Sequence, residues 1–223
     1  MFDQSHYSTE DKLKNFPKYI QNKDLMRYLA MYELFKLQTD IKGSVVECGV
    51  HQGGGLAMWQ HLSVILDIHQ VYRNIVGFDT FAGFPNVGES DGAAKVGQFN
   101  EGPEALEELK AALKFVDEQV YGADFSRMEL VIGDAVKLIP AYIKTKPYFL
   151  VSLLYLDFDL YEPTKVALDH FLPRMPKGAV LAFDEVNNQQ WPGETQALLE
   201  TFDLNQHQLR SFPWERNISY IVI

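Results

Sequence analysis

The chain is poor in cysteine and in cations and has no long apolar run, and each shortage removes a class of function. A single cysteine, Cys48, among 223 residues rules out an intrachain disulfide and fits a reducing compartment. Cys48 lies in an apolar stretch and reads as a buried, inert thiol. The 20 Lys and Arg are outnumbered by 30 Asp and Glu, giving a formal net charge of −10. Such a chain repels nucleic-acid backbones and anionic membrane surfaces at long range. An anionic small molecule would need local cations in its pocket, and Lys95, Arg127 and Arg216 are the candidates. No apolar run reaches the roughly 18 residues that span a bilayer, and the first residues lack the basic-then-apolar order of a signal peptide. The expectation is a cytoplasmic protein with neither nucleic acid nor membrane as partner. The histidines show no H-x-x-x-H zinc spacing, and there is no G-x-S-x-G serine elbow.

What is present is a globular composition, 47% hydrophobic and 22% charged, sufficient for one α/β core. Residues 1–40 read as a polar, aromatic-dotted segment and an amphipathic helix (24–37) that cover the site; residues 41–223 form the main domain. Strands are predicted at 43–48, 74–78, 129–132, 149–156 and 179–183. They alternate with helices near 55–68, 103–121, 135–143, 163–172 and 193–202, the pattern of a parallel sheet covered on both faces. The stretches 208–212 and 218–223 are joined too tightly for a parallel crossover and read as an antiparallel hairpin. The expected fold class is α/β, with a mostly parallel seven-stranded sheet ending in an antiparallel hairpin, which would resemble the Rossmann-like class I methyltransferase sheet more than a plain dinucleotide fold.

The first strand runs into Glu47-Cys48-Gly49-Val50-His51-Gln52-Gly53-Gly54-Gly55. Glycines between a strand and a helix let the backbone approach a ligand closely. A dinucleotide fingerprint would read G-x-G-x-x-G around a pyrophosphate; here an acid leads, which suits a ligand carrying ammonium or sulfonium. That favours S-adenosylmethionine over NAD, with Glu47, Gly49, Gly53 and Gly54 in its site. Asp79 ends the second strand and can accept from ribose hydroxyls or cap the turn 80–83. Asp134 ends the third, near where adenine would lie, and can equally cap the next helix.

The fourth strand drives into Asp157-Phe158-Asp159 and the fifth into Asp184-Glu185. Acids at the ends of buried strands are costly unless paired or bound to a cation. Asp157, Asp184 and Glu185 form an oxygen set for Mg2+ or a similar hard cation, which would acidify an acceptor hydroxyl. Asp159 is expected to cap the helix beginning near Tyr161.

Four stretches then resemble the macrocin O-methyltransferase family of metal-dependent sugar O-methyltransferases: E-C-G-V-H-Q-G-G-G at 47–55, G-F-D-T-F-A-G-F-P at 77–85, L-D-F-D-L-Y-E-P-T at 156–164 and P-K-G-A-V-L-A-F-D-E at 176–185. The resemblance runs from about Lys12 and is greatest for members acting on nucleotide-linked deoxyhexoses. It implies S-adenosylmethionine, a divalent metal, and transfer to a sugar hydroxyl. It also implies Asp157 as metal ligand and general base, with Asp184 and Glu185 where the family shows D-D. Trp191 and Phe84 would wall the acceptor, and the loop 81–100 would act as a lid. A phenol or catechol methyltransferase would share every one of these residues; a non-catalytic S-adenosylmethionine-binding module and an NAD-dependent oxidoreductase are the remaining alternatives. A homo-oligomer is expected.

Overall fold

The computed structural model describes residues 1–121 and 126–223. Five parallel strands, β1 (Ser44–Cys48), β2 (Ile75–Asp79), β3 (Met128–Ile132), β4 (Val151–Leu156) and β5 (Val180–Phe183), carry two antiparallel ones, β6 (Arg210–Ser211) and β7 (Ser219–Val222). The sheet order is β3-β2-β1-β4-β5-β7-β6, with β7 antiparallel to β5 and to β6. The seven strands and the terminal hairpin expected from the sequence are all present. The first hairpin strand is shorter than expected, two residues at the sheet edge.

The central strands are apolar throughout because both faces are covered. Val45, Leu153, Tyr155, Val180 and Ala182 face one core with helices α2 (Asn22–Leu37), α3 (Gly54–Asp67) and α4 (Pro103–Tyr121). Val46, Cys48, Leu154, Leu156 and Leu181 face the other, under α5 (Ala135–Thr145), α6 (Tyr161–Phe171) and α7 (Gly193–Thr201). Cys48 is fully buried, and burial pushes its thiol pKa up, as an inert core thiol requires. Among the described residues no helix is long and apolar enough to cross a membrane.

Two parts of the N-terminal segment behave differently. The short α1 (Thr9–Lys14) starts at a Ser8 cap and buries no residue. Helix α2 buries Ala30, Met31, Leu34 and Phe35, a stripe at i, i+3, i+4 spacing. Arg27 sits on the same stripe, one turn earlier. The chain reverses strand order between β1 and β4, so the carboxyl ends of these strands open the crevice where α/β sheets bind ligands.

Candidate active site

That crevice holds a cleft of about 300 Å3. Gly49, Asp79 and Asp134 line its β1–β3 side; Asp157, Asp184 and Glu185 line its β4–β5 side. Phe84 and Trp191 also line it. Sequence reasoning thus named residues that the fold brings together from strands far apart in the chain.

The glycine loop contributes less directly than its motif suggests. Gly49 (φ +92) is the close approach: a Cβ there would lie 1.9 Å from the Asp157 carbonyl oxygen. Gly53 caps α3 in a left-handed conformation, Gly54 meets the Tyr28 hydroxyl, and Gly55 makes room for the Glu47 carboxylate. Gly53, Gly54 and Glu47 do not line the cleft. Glu47 is buried and its Oε2 has no hydrogen-bond partner. Burial, and then Asp157, push its pKa well up.

The two outer acids of the β1–β3 side are already engaged. Asp79 accepts the N–H groups of Val50 (2.7 Å) and His51 (2.9 Å) on Oδ2 and of Phe81 (2.7 Å) on Oδ1, so it braces the glycine loop and caps its own turn. Asp134 caps α5 through Val136 N–H (3.1 Å) and pairs with Lys137 (2.8 Å) while still facing the cleft. His51 also lines the cleft, paired with Glu101 at 2.6 Å.

On the opposite side, Arg27 reaches across from α2. Its guanidinium donates to Asp157 Oδ2 and to Asp184 Oδ1, each at 2.6 Å. The Tyr155 hydroxyl adds a bond to Asp184 Oδ1 at 2.7 Å. Burial works against the Arg27 charge, but Tyr155, Asp157 and Asp184 outweigh it and raise its pKa. Burial, and then Asp184, raise that of Asp157 in spite of Arg27.

The expected cap at Asp159 is not formed. Helix α6 begins at Tyr161 behind Leu160, with no side-chain cap, and the Tyr161 N–H goes instead to Asp91. Asp159 holds a left-handed backbone (φ +61) and lines the cleft. Its carboxylate has no hydrogen bond to any described residue, and burial, with Glu185 and Asp184, lifts its pKa to about 7. Behind it, the fully buried Glu194 accepts the N–H groups of Glu185 (3.0 Å) and Asp159 (3.3 Å).

Loop 81–100 lies over the cleft and is pinned there. Gly97 N–H donates to the Phe84 carbonyl and Phe84 N–H to the Gln98 carbonyl across it, and buried Asp91 ties it down. Phe99, which sequence reasoning did not single out, joins Phe84 and Trp191 with ring centroids 5.4–6.2 Å apart. Of the cations proposed for an anionic ligand, Lys95 and Arg216 are exposed and do not line the cleft. Arg127 is buried just before β3, donating to the Gln70 carbonyl at the opposite edge of the sheet. Of the first 40 residues, Arg27 lines the cleft and residues 1–20 do not.

A family model, Macrocin-O-methyltransferase (TylF), matches residues 24–210. The chain belongs to the macrocin O-methyltransferase family. The crystal structure of the calicheamicin methyltransferase CalS11 is 32% identical, with a TM-score of 0.94 over 99% of this chain and 87% of that one. An apo structure of CalS11, described as a TDP-rhamnose 3'-O-methyltransferase, is 30% identical with a TM-score of 0.85 over 99% and 88%. A Streptomyces olivaceus 8-demethyl-8-(2,3-dimethoxy-alpha-L-rhamnosyl)-tetracenomycin-C 4'-O-methyltransferase is 30% identical over 154 residues, 67% of this chain and 55% of the relative. The chain spans about half the length of the curated relatives it matches. The likeness to CalS11 extends over nearly the whole chain, and the family match spans the strand ends that build the cleft.

The residue types lining the cleft suit a methyl donor and a hard cation, but among the described residues the carboxylates are not grouped as a ready three-ligand site. Buried Glu47 lies in the field of Asp157, Arg27 and Asp79 with its carboxyl pKa held well up, so a cationic group brought near it would favour its ionised form. Asp157, Asp184 and Glu185 supply the oxygen chemistry of a hard cation, and the Arg27 guanidinium stands in for positive charge between two of them. Glu185 is turned towards the Asn188 amide, and among the described residues no three His, Cys, Asp or Glu side chains are grouped to hold a metal ion.

Proposed function

We propose that the protein is an S-adenosylmethionine- and divalent-cation-dependent O-methyltransferase acting on a sugar hydroxyl, with a nucleotide-linked deoxyhexose as acceptor. The observation that carries this is one cleft with two unlike walls: Gly49, Asp79 and Asp134 on the donor side, and Asp157, Asp159, Asp184 and Glu185 facing them. S-adenosylmethionine supplies the methyl group. Asp157, Asp184 and Glu185 would hold the cation, which would acidify the acceptor hydroxyl when bound. The proton-accepting role moves from Asp157, whose Oδ2 is held by Arg27, to Asp159, whose carboxylate faces the cleft unengaged. Phe84, Phe99 and Trp191 exclude water and pack the sugar's apolar face. The whole-length likeness to CalS11 supports the nucleotide-linked acceptor.

One observation favours a second acceptor, a sugar already joined to an uncharged aglycone. Arg27 is the lone Lys or Arg among the described residues lining the cleft, beside acids on every strand end, and a diphosphate would meet mostly like charge. Incubating the protein with S-adenosylmethionine, Mg2+ and panels of nucleotide sugars and neutral glycosides, with mass spectrometry for a gained methyl group, tests both. Asp157→Asn and Asp159→Asn should each lower turnover more than a hundredfold with donor affinity nearly kept. Methylation of phenols alone would sink both sugar readings.

A further inference from the structure

We propose that Arg27 is an exchangeable counter-ion: it bridges Asp157 and Asp184, a divalent cation must displace it, and this one side chain thereby sets the cation affinity of the site. The inference rests on the cation part of the proposed function.

Arg27 stands on the buried stripe of α2, where a cation is tolerated only against buried anions. Adjacent nitrogens of its planar fork reach one oxygen of each aspartate at 2.6 Å, a bridge that a lysine point charge cannot reproduce. It therefore occupies the space between the two carboxylates that a shared cation would need. Removing it with nothing in return would leave two partly buried carboxylates uncompensated.

The geometry also lets Arg27 leave. Its side chain is 32% exposed, against 6% for Asp184, so it lies on the open side of the pair and can swing into the cleft without unpacking the core. Asp184 would not be set adrift, because the Tyr155 hydroxyl donates to the same oxygen from below. Asp157 is anchored through its own backbone, whose N–H donates to the Cys48 carbonyl at 2.7 Å. Asp184 thus keeps one partner when the guanidinium goes, and the Asp157 backbone stays anchored. Charge favours the exchange: Asp157, Asp159, Asp184 and Glu185 share one wall with one guanidinium, and a divalent ion neutralises twice as much. Glu185 would have to exchange its bond from the Asn188 amide to join them.

The test is calorimetric titration of Mg2+, and separately Mn2+, into the full-length protein and its Arg27→Met and Arg27→Lys variants, with melting curves at each cation concentration. Arg27→Met should bind the cation at least tenfold more tightly than the parent, and Arg27→Lys in between. Without cation, Arg27→Met should melt below the parent, and saturating Mg2+ should raise its Tm by more than it raises the parent's. Equal or weaker cation binding by Arg27→Met would overturn the proposal; if that variant fails to fold, equal or weaker binding by Arg27→Lys would do the same. No cation binding to any of the three, with S-adenosylmethionine still bound, would overturn both this proposal and the cation requirement while leaving the donor reading intact.

Discussion

The Oδ1 atom of Asp91 accepts the backbone N–H of Tyr161 at 2.6 Å, so a carboxylate from the loop over the cleft caps the first turn of α6. Its Oδ2 accepts Gly88 N–H at 2.6 Å within the loop itself. Asp91 is 2% exposed, and each amide left without an acceptor would cost about 1–3 kcal/mol. Asp91→Asn can serve one amide but turns an NH2 group on the other. The variant should become sensitive to limited proteolysis within 81–100 and show a raised KM for acceptor with a smaller change in kcat. Unchanged proteolysis and KM would mean that the loop is held by its aromatic contacts instead.

Glu194 joins the two acid-bearing loops by accepting from Asp159 and Glu185, and it touches neither ligand space. It acts as a positioning residue. Glu194→Gln keeps the shape but offers one acceptor oxygen to two amides. We expect kcat to fall at least tenfold, donor affinity by calorimetry to change less than threefold, and Glu194→Ala to be worse on kcat. A loss of donor affinity equal to the loss of kcat would show that Glu194 supports the whole core and not these loops.

The strands and the helices between them were readable because a parallel sheet writes itself as apolar runs separated by helical periods, and the acids that end β4 and β5 interrupt those runs. The partners of these acids were less visible. Arg27 could have been found: it shares the spacing of Ala30, Met31 and Leu34, and a cation on an apolar stripe requires a buried anion. Asp159 was assigned to the following helix because an acid two residues before a helix usually caps it; Asp91, 70 residues away, had taken that amide. Glu194 looked like an ordinary acid in a first helical turn. Arg127 was misplaced because charge says nothing about which edge of the sheet a residue occupies. In each case the missing information was a long-range pairing, which local periodicity does not carry.

Gly49 provides a test of backbone packing at the β1–β4 junction. Its φ of +92 strains any other residue, and an added Cβ would lie 1.9 Å from Asp157 O. Gly97 has a similar φ of +79 with nothing within 4 Å. Gly97→Ala should therefore cost only the backbone term, about 1 kcal/mol, in denaturant unfolding. Gly49→Ala should cost more than about 2 kcal/mol and weaken S-adenosylmethionine binding. Similar losses for the two would mean that β1 and β4 can move apart without penalty.

The aromatic group gives the sharpest handle on the acceptor. Phe84 and Phe99 come from loop 81–100, and Trp191 comes from the segment before α7; Phe99 lies 6.0 Å from Trp191 and 5.4 Å from Phe84. Because the rings pack on one another, removing one loosens the others, and their effects should not add. Phe99→Ala and Trp191→Ala should each raise the acceptor KM about five- to thirtyfold, an energy of roughly 1–2 kcal/mol, with donor affinity little changed. The double variant should lose less than the product of the two. Full additivity would show that each ring meets the acceptor separately, and that Phe99 is a direct contact and not a buttress for Trp191.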